Sequence, residues 1–195
     1  PELIEPLLAA LPDRCVVDGE IVVADSGGDG LDFDSLLHRI HPAKSRVDRL
    51  AAETPAAFVA FDMLCLDDRS LMDAPLSTRR DVLVAALVPN EVVHLTPAST
   101  DRAVAEDWFS TFEGAGLDGI IAKPLDGVYA PGKRSLVKVK HQRTALCAVA
   151  GYRVHKDGYG VGSLLLGLVD ADGEMHSVGV AASFSVKRRS ELLAE

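Results

Sequence analysis

Two short β-type runs separated by a turn-rich stretch, Leu117 to Thr144 (LDGIIAKPLDGVYAPGKRSLVKVKHQRT), place the strongest local constraint on this 195-residue chain. The run Gly119-Ile120-Ile121-Ala122 is short and apolar, entered at Asp118 and left at Lys123. The second, Val137 to Lys140, alternates, so that Lys138 and Lys140 share one face and Val137 and Val139 the other. Both runs predict paired β-structure with a carboxylate and several cations at the strand ends. That combination is what a polyphosphate–metal site requires, an anionic ligand for a cation beside fixed positive charge. A surface hairpin with solvated lysines has the same pattern, so the motif alone leaves both readings open.

Charge distribution separates this region from the rest. The chain is acidic overall, with a formal net charge of −9, which by itself argues against nucleic acid. Residues 123–156 nevertheless carry eight Lys or Arg and a single Asp. The basic set is Lys123, Lys133, Arg134, Lys138, Lys140, Arg143, Arg153 and Lys156, with His141 and His155 interleaved. Such a block creates a local anion-binding face whatever the net sign. Phosphate, as nucleotide or nucleic-acid backbone, is its natural ligand.

A hydrophobic content of 48% at this length buries one good core, or one large and one small. No run reaches the ~20 apolar residues of a membrane span. The start, PELIEPLLAAL, has none of the basic character of a secretory leader. Cys15, Cys65 and Cys147 are odd in number, far apart and set in apolar runs, which predicts reduced, buried thiols and a cytoplasmic setting. His94, His141 and His155 lack zinc-ligand spacing.

The organisation is mixed α and β. Residues 3–11 read as the end of a helix, 14–25 as two strand pieces about Asp18-Gly19, and 32–40 as a short helix capped by Asp32 or Asp34. A turn or helix follows at 44–52, and residues 57–66 (AFVAFDMLCL) form a strongly apolar strand. A helix capped by Ser77 is expected to about Val88, then β-structure at Glu91–Leu95. Residues 101–113 are an amphipathic helix, with Trp108 expected in its core face. From Ala145 come three strand-like runs, ALCAVAGYRV, SLLLGLVD and MHSVGVAA, split by glycine-rich turns, and then a helix from Ser185. This meander predicts the opening of a small β-barrel and a domain boundary near Arg143–Thr144.

Taken in order, four pieces resemble the successive nucleotidyltransferase motifs of ATP-dependent DNA ligases. They are Glu20 in VVDGEIVV, Phe61 in FVAFDMLCL, Asp118 in LDGIIAKP and the lysine pair of SLVKVKH. The segments DFDSLLHRI and PLSTRRDVL resemble intervening family text, and YAPGKRSLVKVKHQRTALCAVAGYRVHK is most similar to the bacterial ligase C type. The resemblance implies an α+β architecture. An adenylation (nucleotidyltransferase) domain of antiparallel sheets with flanking helices spans 1–143, and a truncated OB-fold β-barrel spans 144–195.

The roles that follow are implied by the resemblance. Glu20 would accept hydrogen bonds from the ATP ribose hydroxyls. Phe61 would stack on adenine. Asp118 would help hold Mg²⁺, and Arg134, Lys138 and Lys140 would neutralise the triphosphate and stabilise charge at the α-phosphate during transfer. Lys123 would touch phosphate or the DNA backbone. The partner would be nicked double-stranded DNA, with repair proteins alongside and the chain acting as a monomer. On the residues alone, Phe61 also reads as a core ring and Glu20 as the partner of an arginine across the sheet. RNA ligases and mRNA-capping guanylyltransferases share the motif order, and a non-catalytic nucleic-acid-binding module would use the basic block alone.

Departures from the family pattern shape the expectation. The family's nucleophilic lysine lies in a lysine–x–aspartate–glycine motif, and the only Lys ahead of Lys123 is Lys44, with no Asp-Gly two residues on. Asp118 stands where most of these enzymes have Glu, and Leu146 where an acidic residue is usual. The chain is therefore expected to be a fragment, lacking the nucleophile motif and the final OB-fold motif, and not to form an enzyme–adenylate by itself.

Overall fold

The most apolar run becomes the long strand β2 (Ala56–Leu66), and the larger sheet is built around it. Its antiparallel neighbours are β1 (Cys15–Val23) and the short β3 (Arg69–Ser70), and β4 (Val93–Leu95) pairs with it in parallel. Residues 14–25 thus give one continuous strand where the sequence suggested two pieces. The irregularity lies instead in β2. Asp18 faces Asp62 while Gly19 faces Ala60, so Phe61 is an extra residue with no direct cross-strand partner. A second shift, between Val16 and Val17, leaves Leu64 in the same position.

The computed structural model describes residues 1–27, 30–40, 43–113, 115–142 and 144–194, which divide into two units, Pro1–His141 and Gln142–Glu195. In the first unit, Ala60 and Met63 of β2 and Val93 of β4 meet Ala10 of α1 (Ile4–Ala10), Leu71, and Leu83 and Leu87 at the end of α4 (Leu76–Ala86). Fully burying side chains such as Met63, Leu83 and Val93 stabilises by about 1.5–3 kcal/mol each. The bulges set the spacing of the core positions Phe58, Ala60, Met63 and Leu66.

Helix ends agree with the sequence where local side chains decide them. Asp32 caps α2 (Phe33–His38) by accepting from the Ser35 amide at 2.8 Å, and Asp101 caps α5 (Arg102–Thr111) through the Ala103 amide. The helix α3 (Lys44–Glu53) fills the expected position. For α4 the expectation of a Ser77 cap is wrong: Pro75 holds the cap position and no side chain caps the helix. Its free amides are used from afar, Leu76 donating to the carbonyl of Gly127 and Ser77 to that of Leu125, both at 2.9 Å. Those carbonyls belong to the segment just past β5 (Gly119–Ala122), which pairs antiparallel with β6 (Val137–Lys140) as a two-stranded ribbon.

In the second unit β7 (Ala148–Val154), β8 (Val161–Val169) and β9 (Met175–Ala182) form an antiparallel meander in chain order, followed by α6 (Val186–Glu191) with Ser185 as its cap. Val161 is its one fully buried large side chain among the described residues. Arg143, at the expected boundary, lies outside the described residues. The fold is thus mixed α+β with antiparallel sheets, as expected, the parallel β2–β4 pairing being the exception. Among the described residues no helix is long and apolar enough to cross a membrane.

Candidate functional site

Phe61 sits where β2 bulges, half-buried between the core residues Ala60 and Met63. The Lys123 ammonium lies over its ring, 4.3 Å from the centroid, a cation–π contact worth about 0.5–2 kcal/mol. Burial pushes the Lys123 amine below the ordinary lysine value; Asp62 and Asp18 pull it back up, and Arg80 and Arg79 add to the lowering. Two carboxylates and two guanidinium groups therefore lie within electrostatic reach of the lysine.

Asp62 is buried and bound in two-pronged fashion by Arg79, Nε to Oδ1 at 2.8 Å and Nη2 to Oδ2 at 2.9 Å. With side-chain exposures of 4% and 3%, this pair must be complete to be tolerated. The remaining guanidinium nitrogen of Arg79 donates to the carbonyls of Ala74 at 2.6 Å and Gly127 at 3.1 Å. Arg80 donates to the Phe61 carbonyl at 3.2 Å and the Thr96 carbonyl at 2.8 Å. The Tyr129 hydroxyl donates to Asp18 at 2.8 Å, a bond that raises the phenol's pKa above its usual value.

The β5–β6 ribbon is different in character. Gly119 faces Lys140 and Ile121 faces Lys138, and every residue of β6 is exposed. The Asp118 carboxylate is hydrogen-bonded to the Lys140 ammonium, which holds its pKa below the usual carboxylate value, with Lys138 adding to the effect. Gly119 is required here by backbone and by space. Its φ is +149°, and a Cβ would stand 1.9 Å from the Val139 carbonyl oxygen. Beyond β6, His141 donates its amide to the Asp118 carbonyl at 3.1 Å, and its ring stacks on Phe109 of α5 with centroids 3.6 Å apart.

The structure brings Phe61 and Lys123 together, and Asp118 with Lys140. Glu20 is exposed on β1, two residues from Asp18 and so on the same face of the strand, opposite Val59 in register. Arg134 is exposed between the ribbon strands. Neither Glu20, Arg134 nor Lys138 forms an ion pair among the described residues, so the arginine partner considered for Glu20 is not found there. Sequence reasoning gave no site role to Asp18, Asp62, Arg79, Arg80 or Tyr129. A signal existed for Asp62: a lone carboxylate within an eleven-residue apolar strand has to find a cation. Asp118, an exposed carboxylate beside fixed cations, fits a Mg²⁺ that takes one carboxylate and completes its shell with water and substrate phosphate.

A family model described as ATP dependent DNA ligase domain matches residues 1–140. DNA ligase C1 and DNA ligase C2 of Mycolicibacterium smegmatis are 53% and 57% identical to the chain, each covering 100% of it, while the chain covers 57% and 55% of theirs. DNA ligase C of Mycobacterium tuberculosis is 53% identical, again over 100% of the chain and 56% of its own length. The chain thus spans about half the length of the curated relatives it matches. Among solved structures, a mycobacterial DNA ligase D complexed with ATP and MES is 30% identical with a TM-score of 0.50, over 99% of this chain and 58% of that one. A Lig E DNA ligase superposes with a TM-score of 0.61 at 21% identity, over 90% of this chain and 64% of that one, a likeness of fold.

Proposed function

The chain belongs to the ATP-dependent DNA ligase family, and on that premise we propose that it carries the nucleotide-handling part of an enzyme that seals nicks in duplex DNA. Residues 1–143 serve as the adenylation domain and 144–195 as the opening of an OB-type barrel. The parent enzyme transfers AMP from ATP to a lysine with release of pyrophosphate, and passes the AMP to the 5′-phosphate of a nick. The 3′-hydroxyl then attacks that phosphate and expels AMP. The parent works as a monomer in the cytoplasm, on nicked DNA and alongside repair proteins.

In this reading the Phe61 ring carries adenine and Glu20 accepts the ribose hydroxyls. Lys123, Arg134, Lys138 and Lys140 neutralise the triphosphate, and Lys138 and Lys140 stabilise charge at the α-phosphate as the leaving group departs. Asp118 would hold Mg²⁺, which when bound would offset phosphate charge. Asp118 is engaged by the Lys140 ammonium, which a bound cation would have to displace, freeing it toward phosphate.

The observation that supports this reading best is the ammonium of Lys123, at the exit of β5, over the ring of Phe61. It joins an aromatic surface to the strand pair that carries the cations. The test is intact-mass spectrometry on a protein of the relatives' length, incubated with Mg²⁺ and ATP or GTP, followed by sealing of nicked DNA and nicked RNA. Gain of one AMP, from ATP alone, with sealing of the DNA nick is the expected result. Modification by GTP, or sealing of RNA only, would move the chain to the capping or RNA-joining relatives.

A further inference from the structure

A bulged residue has no cross-strand partner to fix its direction, so the orientation of the Phe61 ring must be set by something other than the ladder. The two arginines of PLSTRR flank that point. Arg80 binds the Phe61 carbonyl itself and ties it to Thr96, just beyond β4. Arg79 binds Asp62, the next residue, and through the Gly127 carbonyl also binds the segment that follows Lys123. That segment is further held where Leu76 and Ser77 at the start of α4 donate to Gly127 and Leu125, and where Tyr129 donates its amide to Met72. The restraints on the Phe61 carbonyl and on the segment after Lys123 therefore converge largely on the first turns of one helix, and Tyr129 adds its amide bond to Met72 and its hydroxyl bond to Asp18.

We propose that Arg79 and Arg80 are positioning residues for nucleotide binding: Arg80 sets the angle of the Phe61 ring, and Arg79 locks the ring's strand to the segment that delivers Lys123. This rests on Phe61 being the base platform. Neither arginine touches nucleotide. The effect of Arg80 is carried by the base, because the cations of the β5–β6 ribbon, Lys138 and Lys140, are placed by strand pairing and not by the clamp. That of Arg79 falls mainly on the base and, through Lys123, in smaller part on the phosphates. ATP and inorganic tripolyphosphate should consequently respond differently to loss of the clamp.

The experiment measures affinity of the 195-residue chain for ATP and for tripolyphosphate by calorimetry, in Arg80→Met, Arg79→Lys, Phe61→Ala and the double variant Arg80→Met/Phe61→Ala. Thermal melts accompany each, so that unfolded protein is not scored as weak binding. Arg80→Met should weaken ATP about tenfold, the scale of a hydrogen bond to a charged group, with tripolyphosphate unchanged. In the Phe61→Ala background the same change should have no further effect on ATP, since there is no ring left to orient. Arg79→Lys keeps the charge and loses the fork, and should show the same preference for loss of ATP over tripolyphosphate. Equal losses of both ligands would reduce the arginines to a structural role and overturn the proposal. If Arg80→Met leaves ATP affinity intact while Phe61→Ala destroys it, the proposal fails and the base platform stands. If Phe61→Ala leaves ATP affinity intact, the base platform itself is wrong and the proposal falls with it.

Discussion

The two halves of the candidate site are built on opposite plans. Around Phe61, Asp62 is buried and gripped by Arg79, and Lys123 is half-buried over an aromatic ring. Along the β5–β6 ribbon the charges stand in solvent, and Asp118 is joined to Lys140 at a surface where both are largely exposed. The first arrangement fixes shape at the cost of desolvation. The second leaves its cations open to solvent, which on the proposed function suits a ligand that arrives with its own charged phosphates. On the function proposed above, base recognition would use the buried half and phosphate binding the exposed one.

The comparison breaks most visibly if the buried half is cut. Asp62→Ala leaves the Arg79 guanidinium buried without its carboxylate and should lower the unfolding free energy by about 3–5 kcal/mol, read by urea denaturation. Replacing both partners together, Asp62→Leu with Arg79→Met, should recover much of that loss. A small effect from Asp62→Ala alone would show that the pair is hydrated in solution and that the two halves are less different than described.

Gly119→Ala attacks the loose half through its backbone. The new Cβ cannot share space with the Val139 carbonyl, and the φ of +149° is unfavourable for any L-residue. A cost of about 1–3 kcal/mol is expected, confined to the ribbon. Amide exchange should quicken at Gly119–Ala122 and Val137–Lys140 while β1 and β2 keep their protection. Equal quickening in the large sheet would mean that the ribbon and sheet unfold as one body.

The smallest effect sharpens the contrast. Lys140→Met should change stability by less than about 1 kcal/mol, since the ion pair it removes is solvent-exposed. It should nevertheless return the Asp118 titration, followed by carboxyl-carbon NMR, toward the ordinary carboxylate value. With its folded pKa lowered, Asp118 contributes fully above the unfolded value, and that contribution is lost as pH falls through the folded one. The variant should flatten the acid limb of the stability profile, and added salt should do the same to the parent chain.

The sequence was readable where physics is local. Apolar runs predicted β2 and the three strands of the second unit; the cap expected at Asp32 or Asp34 is Asp32, and the last helix starts at Ser185 as expected, each satisfying amides within its own next turn. Phe61, Lys123, Asp118 and Lys140 were legible as motif residues, and they do form two close pairs. What could not be read depended on distant partners. The bulge at Phe61 exists only in the register between β1 and β2. Ser77 was misread as a cap because the acceptors that stand in for one lie beyond β5. Alternation in Val137–Lys140 correctly assigned the pairing face of the lysines, yet Val137 is 63% exposed. Periodicity tells which side chains share a face and says nothing of what covers it.

The dependence of α4 on the segment after Lys123 has a consequence for how this molecule assembles. A helix whose first amides are satisfied by residues about fifty positions later cannot finish its first turn until that long loop has closed. The same closure seats the lysine over the ring. A chain caught before it would have a frayed helix and an unplaced ammonium together, so the start of α4 and the Lys123–Phe61 contact should appear in one kinetic step.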